Sequence, residues 1–400
     1  MNRKSFLIFA LACLCVAGSS VAKPMKARMI QPLYALDEAG LDNTFEWTLK
    51  ELDKCDASLD IVVLPEFSDV PGKTVAGGFF DKARKNGPVL LRKCAETARR
   101  CSTLVFCGAV DDSWEKPRNA IHVFGRDGSL IGKYYKQHVT AGEWQKTGVD
   151  NRYTREWQEP YYLDIEGVRY MFLICYDFYF YEKYADIARW KPDVIIGCSH
   201  QRSDPHHVLD LIDEFCAYHT GAYLVRASVS MGKKSEVGGC SSLAAPTGKL
   251  LGNLYSRVDH LDVTFDPSEK YLKPAGYGNP PAMHSDYIEI GRRPWLYRPG
   301  GSAIVAPLSE APAKRTVTYS NNLAVLGAAI ATGTQEIAFD VDAAADWEPF
   351  VRSIMQKFSC HAIMNIRLKG TWGTEAMKRL KDIVFIYDAD KYVYYTPVED

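Results

Sequence analysis

The sequence predicts a layered α/β fold built on mixed sheets, and three observations predict it. Short β-branched and apolar runs alternate with longer stretches of helical periodicity over most of the chain. Two pairs of those runs are joined by turns whose residues suit positive φ, which rules out a purely parallel sheet. Of 400 residues, 47% are hydrophobic, enough to bury a large core between layers.

The elements follow in order. Ala27–Tyr34 reads as a strand, Asn43–Cys55 as an amphipathic helix, and Asp60-Ile61-Val62-Val63-Leu64 as a buried strand that ends at Pro65-Glu66. Lys82–Ala98 has helical spacing and Ser102–Val110 is a continuous apolar strand. Ala120–Phe124 and Leu130–Tyr135 form a hairpin across Gly125-Arg126-Asp127-Gly128. Tyr161–Ile165 and Arg169–Ile174 form another across Glu166-Gly167. A helix over Tyr181–Trp190, a strand over Asp193–Gly197, a helix over His206–Thr220 and a strand over Ala222–Ser228 come next. Ser241–Ala245 and Leu250–Leu254 flank the turn Pro246-Thr247-Gly248-Lys249.

The two ends differ from this middle. Arg3 and Lys4 precede the short apolar run Phe6–Val16, and Ser20-Val21-Ala22 offers the small residues of a cleavage site. Residues 1–22 are therefore expected to be a signal peptide and the mature chain to be exported, to the periplasm or the extracellular space. Their loss removes Arg3 and Lys4, so the formal charge falls from −1 to −3. No later apolar segment reaches the roughly 20 residues that a membrane span needs. The main domain is placed at 23–270, a Pro- and Gly-rich wrapping segment at 271–314, and a small α/β extension at 315–400. The extension carries signals over Thr316–Tyr319, Glu336–Val341, Trp347–Phe358, Ala362–Ile366, Glu375–Lys381, Ile383–Tyr387 and Tyr392–Tyr395. A near-neutral balance gives no electrostatic reason to expect nucleic acid or an anionic membrane as partner. Beyond Cys13 and Cys15, nine cysteines remain, most within apolar runs where cysteine acts as a small hydrophobe.

Three segments place reactive residues where buried strands open onto loops. They are Leu64-Pro65-Glu66-Phe67, Tyr134-Tyr135-Lys136-Gln137-His138 with Glu143 seven residues after the lysine, and Leu173-Ile174-Cys175-Tyr176-Asp177. Each has a bland reading alone: a capping carboxylate, a surface lysine, a structural thiol. All three at strand exits, in this order, point to chemistry.

Together they resemble the signature of the nitrilase superfamily of carbon–nitrogen hydrolases, whose members carry a Glu–Lys–Cys triad in that chain order. Glu66 matches the family's Pro-Glu glutamate, Lys136 the lysine of its Tyr-x-Lys-x-His segment, and Cys175 the cysteine of its Ile-Cys-Tyr-Asp segment. Glu143 resembles the second glutamate of many members, and Ser242–Gly248 the family's Ser-x-x-x-Pro-x-Gly stretch. The resemblance spans residues 27–265 and implies a four-layer α-β-β-α sandwich, to which the tail adds a small α/β appendage. A signal peptide, a nitrilase domain and an added C-terminal domain also occur together in secreted amidases of the vanin and biotinidase kind, an architectural likeness only.

The chemistry supplies its own reasons for these residue types. Breaking an amide or nitrile C–N bond at neutral pH needs a strong nucleophile, and a thiolate provides it. Cys175 is the expected nucleophile, Glu66 the proton carrier, Lys136 the oxyanion stabiliser, and Glu143 the residue that holds Lys136 or the substrate nitrogen. The N–H of Tyr176 is a second oxyanion donor, and His200 belongs to the pocket rim. Asp177 is expected to cap or salt-bridge, while His206 and His207 line the pocket or face water. Neither a metal nor another cofactor is called for. The substrate is a small amide or nitrile, with an amide or carbamoyl compound ranked first. A nitrilase, a thioester-based N-acyltransferase and a catalytically inactive binding module are the alternatives. The aromatic run Tyr176–Tyr184 reads as a substrate wall or an interface, and the resemblance favours a homodimer or higher homo-oligomer interface for part of it.

Overall fold

The computed structural model describes residues 24–155, 160–274, 280–291, 316–332, 334–358, 362–387, 389 and 393–398. The expected signal peptide, Cys360 and most of the Pro- and Gly-rich segment lie outside the described residues. The chain divides into two units, Met1–Glu289 and Ile290–Asp400.

In the first unit the element order is β1 (Met25–Gln31), α1 (Glu38–Asp53), β2 (Ile61–Leu64), α2 (Phe79–Cys101), β3 (Leu104–Asp111), β4 (Arg118–Phe124) and β5 (Leu130–Tyr135). There follow β6 (Leu163–Ile165), β7 (Val168–Ile174), α3 (Tyr181–Ala188), β8 (Val194–Cys198), α4 (His206–Thr220) and β9 (Tyr223–Ala227). β10 (Ser242–Ala244), β11 (Leu250–Asn253) and β12 (Asp259–Phe265) complete the sheets. A short antiparallel pair, β13 (Leu272–Lys273) with β14 (Ala282–Met283), precedes α5 (His284–Gly291).

The strands form two six-stranded sheets, β12-β1-β2-β3-β4-β5 and β11-β10-β9-β8-β7-β6. Each has three parallel central strands, β1-β2-β3 or β7-β8-β9, flanked by antiparallel neighbours. The inner faces meet in one core, with Met29, Val63, Phe106 and Ile121 from the first sheet and Tyr170, Phe172, Ile196 and Val225 from the second. On the outer face of the first sheet, Val62, Leu64 and Val105 pack with Phe45 and Leu52 of α1 and Leu90 and Cys94 of α2. On the outer face of the second, Leu173, Ile195 and Leu224 pack with Ile187 of α3 and Cys216 and Ala217 of α4. This is the expected α-β-β-α sandwich. Strands buried on both faces read as unbroken apolar runs, which is why the central ones were legible.

Several elements depart from expectation. β12 was not anticipated: its alternation of Leu261, Val263 and Phe265 with His260, Asp262 and Thr264 is the period of an edge strand, and Asp262 pairs with Arg28 of β1 at 2.7 Å. α2 begins three residues earlier than expected and carries Pro88 in its interior. In the second unit, Glu375–Lys381 and Ile383–Tyr387 are not separate elements but fall largely in one helix.

That unit is a parallel sheet in the order β15 (Val317–Tyr319), β16 (Glu336–Asp342), β17 (Ile363–Lys369), β18 (Val393–Pro397). The helices α6 (Leu323–Ala331), α7 (Glu348–Phe358) and α8 (Thr374–Ile386) lie in its crossovers. α6, also unanticipated, starts at Asn322, whose side chain accepts from the amides of Ala324 and Val325. Ile337, Phe339, Met364 and Ile366 form its core with Leu326, Ile354, Leu380 and Ile383.

Candidate active site

Glu66 and Cys175 lie just beyond the central strands β2 and β7, and Lys136 just beyond the edge strand β5. After β2 the chain turns sharply, with Phe67 in the left-handed region at φ 48°. Gly108 of β3 makes the turn possible, since a Cβ there would lie 2.3 Å from the Pro65 carbonyl oxygen and 2.7 Å from Glu66 Cα. The amide of Ser68 donates to the Gly108 carbonyl at 2.8 Å, and its hydroxyl to that of Pro65 at 2.8 Å. Glu66 is thereby turned inward and is only 1% exposed.

Lys136, just past β5, is equally buried. Its Nζ donates to Glu66 Oε1 and to Glu143 Oε2, both at 2.7 Å. Its own amide donates to the Asn119 carbonyl at 3.0 Å, and its carbonyl accepts from the Tyr153 hydroxyl at 2.5 Å. Asn119 Nδ2 donates to Glu66 Oε1 at 2.6 Å and to Glu143 Oε1 at 2.8 Å. The Thr140 amide donates to Glu143 Oε2 at 2.9 Å. Two carboxylates thus share one ammonium and one amide group.

Cys175 directly follows β7 at φ 46°, again in the left-handed region that costs a non-glycine residue energy. The surrounding bonds hold it there. Asp177, fully buried, accepts from the amides of Ile174 and His138 at 2.9 Å each and from the Tyr134 hydroxyl at 3.0 Å. Its Oδ1 also lies 2.8 Å from His138 Nδ1. Because Tyr134 and His138 flank Lys136, Asp177 ties the lysine segment to the cysteine turn. It is a structural carboxylate, as the sequence suggested.

Electrostatics set the resting state. Burial pushes the Cys175 thiol well above its ordinary range, and Glu66 adds to this while Lys136 opposes it. Burial likewise raises Glu66, helped by Glu143 against the pull of Lys136. Burial alone would lower Lys136, but the two carboxylates overcome it and hold the ammonium well above its usual value. The group therefore rests as a neutral thiol beside a lysine cation and a glutamate of weakened acidity.

Glu66, Lys136, Glu143 and Cys175 open onto one cleft of about 760 Å³, walled by Tyr34, Phe67, Phe79 and His200 among others. The His200 amide donates toward the Cys175 sulfur, and its ring meets Tyr34 edge-on at 5.6 Å. Burial, then the charge of Arg202, holds that imidazole well below its ordinary pKa, so it is neutral. The Tyr176 ring packs on Tyr179 and Phe180 and does not line the cleft. His206 and His207, in the first turn of α4, do not line it either. Among the described residues, no cluster of three or more His, Cys, Asp or Glu side chains is placed to hold a metal ion. Among those same residues, no helix is long and apolar enough to cross a membrane.

Two residues of this neighbourhood escaped the sequence reading. Asn119 resembles a turn residue near Pro117, and the pairing of β4 with β3 and β5 brings it to the carboxylates. Arg226 of β9 is wholly buried. It pairs with Asp213 at 2.9 Å, donates to Gln201 Oε1 at 2.7 Å, and faces the Phe178 ring at 5.4 Å. An arginine inside Leu224-Val225-Arg226-Ala227 was a usable signal, because a buried guanidinium demands a carboxylate.

The profile of the carbon–nitrogen hydrolase family matches residues 26–261. The chain belongs to the carbon–nitrogen hydrolase family. Among solved structures it is similar to an amidase from Nesterenkonia sp., at 19% identity over 61% of this chain and 90% of that one, with a TM-score of 0.48. It is also similar to Nit3 of Saccharomyces cerevisiae, at 18% identity over 62% and 93%, with a TM-score of 0.48. A carbon–nitrogen hydrolase from Helicobacter pylori G27 aligns at 15% identity over 61% and 90%, with a TM-score of 0.49. No curated protein matches by sequence.

Proposed function

We propose that the protein hydrolyses a non-peptide amide or carbamoyl C–N bond through an acyl-thioester on Cys175. The supporting observation is the Lys136 ammonium, held 2.7 Å from both Glu66 and Glu143 in the cleft that exposes the thiol. Glu66 takes the Cys175 proton as sulfur attacks the carbonyl carbon. Lys136 and the Tyr176 N–H stabilise the oxyanion that forms. On collapse the C–N bond breaks, and Glu66 returns the proton to the leaving nitrogen, which departs as ammonia or an amine. Glu66 then takes a proton from water, whose oxygen attacks the thioester, and the thiol is restored as the acid leaves. Glu143 and Asn119 orient Lys136 and Glu66 and touch no reacting bond.

Cys175→Ala is expected to abolish ammonia release from an amide panel while leaving the unfolding temperature within a few degrees of the parent. Undiminished turnover would reject the mechanism.

Glu66 must be ionised to accept the thiol proton, so kcat/KM rises with pH through its pKa, which burial places above the ordinary glutamate range. The negative charge of Glu143 adds to that elevation. Glu143→Gln is therefore expected to move the acidic limb of the profile to lower pH, together with a fall in kcat. A limb that stays in place or moves up would remove Glu66 from the role of base.

The α3–α4 face exposes Tyr181, Leu211, Phe215 and Tyr218. We assign it to a homodimer contact, as such apolar faces are seldom left in water. Leu211→Glu combined with Phe215→Glu is expected to halve the mass seen by sedimentation; a parent already monomeric at micromolar concentration would refute the assignment.

A further inference from the structure

The charge of the cleft bears on the substrate. Its lining includes four cations, Lys73, Lys136, Lys146 and Arg202, against only two carboxylates, Glu66 and Glu143. Both carboxylates are bonded to Lys136, and with both ionised the lining carries a formal charge of 4 − 2 = +2. None of Lys73, Lys146 and Arg202 has a carboxylate within salt-bridge distance among the described residues. The full chain, by contrast, carries a formal charge of −1. A concave site with this excess concentrates anions at its mouth.

The three cations differ in how they are held. Lys73 follows Gly72, and its amide donates to the Ala35 carbonyl at 2.8 Å, so its backbone is anchored while its side chain extends. Lys146 lies three residues after Glu143, in the same turn. Arg202 is the most constrained. Its guanidinium lies 4.4 Å over the Tyr34 ring, and Tyr34 in turn meets His200, whose amide faces the Cys175 sulfur. Stacking on an aromatic face leaves the edge of a guanidinium free for a bidentate partner, a geometry that suits a carboxylate. Phe67, Phe79, Val75 and Met231 supply apolar wall to the same cleft.

We propose that the cleft recognises an amide or carbamoyl compound bearing a carboxylate, with Arg202 as the anchor of that carboxylate and Lys73 and Lys146 strengthening the field. The inference rests on the hydrolase reading for turnover, though its binding part can be read without turnover. The carboxylate would fix the far end of a short chain so that its carbonyl carbon meets Cys175.

The test uses the whole chain and reads alkylation of Cys175 by iodoacetamide, followed by peptide mass. Succinamate and glutaramate are compared as protecting ligands with butyramide and valeramide, which replace the carboxylate by methyl. The anionic pair is expected to protect at concentrations about 10- to 100-fold lower, the worth of a charge-assisted hydrogen bond. That advantage should shrink as salt rises from about 0.01 to 1 M, because the cations are exposed and screened. Arg202→Gln should close most of the gap. Equal protection by charged and neutral ligands, a gap indifferent to salt, or a gap unaltered in Arg202→Gln would each overturn the proposal. Ammonia release is read in parallel. Anion-selective protection without ammonia from any amide would leave this inference standing and remove the hydrolase reading. Equal turnover of both ligand types would do the reverse.

Discussion

Replacing Lys136 by methionine is expected to cost about 10²–10³ in kcat, the loss typical of a missing oxyanion donor, and to destabilise the fold as well. The stability effect follows from what remains. Methionine keeps the volume but leaves Glu66 buried and Glu143 partly buried beside it, with Asn119 as their shared donor and no cation between them. Breaking a buried ion pair from one side costs about 3–5 kcal/mol, because the remaining charge stays desolvated. Here two charges remain and repel one another.

The sign with pH is fixed. Without the ammonium, which pulls it down, the folded-state pKa of Glu66 rises further above its unfolded value. The folded variant then binds more protons than the unfolded chain at neutral pH, so its stability falls as pH increases. The deficit relative to the parent should therefore be largest near neutral pH and above, and shrink as pH falls toward the ordinary glutamate range. Urea unfolding at a series of pH values checks this. A deficit that does not vary with pH would mean that the two acids are not desolvated together, contrary to their placement.

This same cluster shows what was legible in the sequence. Glu66, Lys136 and Cys175 were visible because each stands at the exit of an apolar strand, where a reactive side chain is out of place. The layers were visible for a related reason: β2, β3, β7 and β8 are buried on both faces, so their apolar runs are unbroken. Asn119 was not visible, since its role comes from hairpin register, which sets its amide against two acids that are 53 and 24 residues away. β12 was missed because it pairs with β1 across more than 200 residues and half of its side chains are polar. α6 was missed for the opposite reason: its residues are apolar on nearly every side and show no face. Local pattern reports burial well, but partners distant in sequence only through the fold.

Arg226 carries the second large effect. Arg226→Met is expected to destabilise the protein by about 3–5 kcal/mol, since it leaves Asp213 wholly buried with the Ser242 hydroxyl as its remaining side-chain donor. Burial already raises Asp213 even with the arginine in place. Loss of that cation raises it further, so the deficit should again grow with pH. Replacing both partners, Arg226→Met with Asp213→Leu, removes the stranded charge and should recover a large part of the loss. A double-mutant cycle showing simple additivity would refute the ion-pair account. The consequence for catalysis is separate. Arg226 holds Gln201, the neighbour of His200, and faces Phe178, in the turn that begins at Cys175. It is a positioning residue: the double variant is expected to remain folded yet to lose kcat more than it raises KM, because the sulfur and the His200 amide are no longer held in register. Full kcat in a stable double variant would show that the pair serves the fold alone.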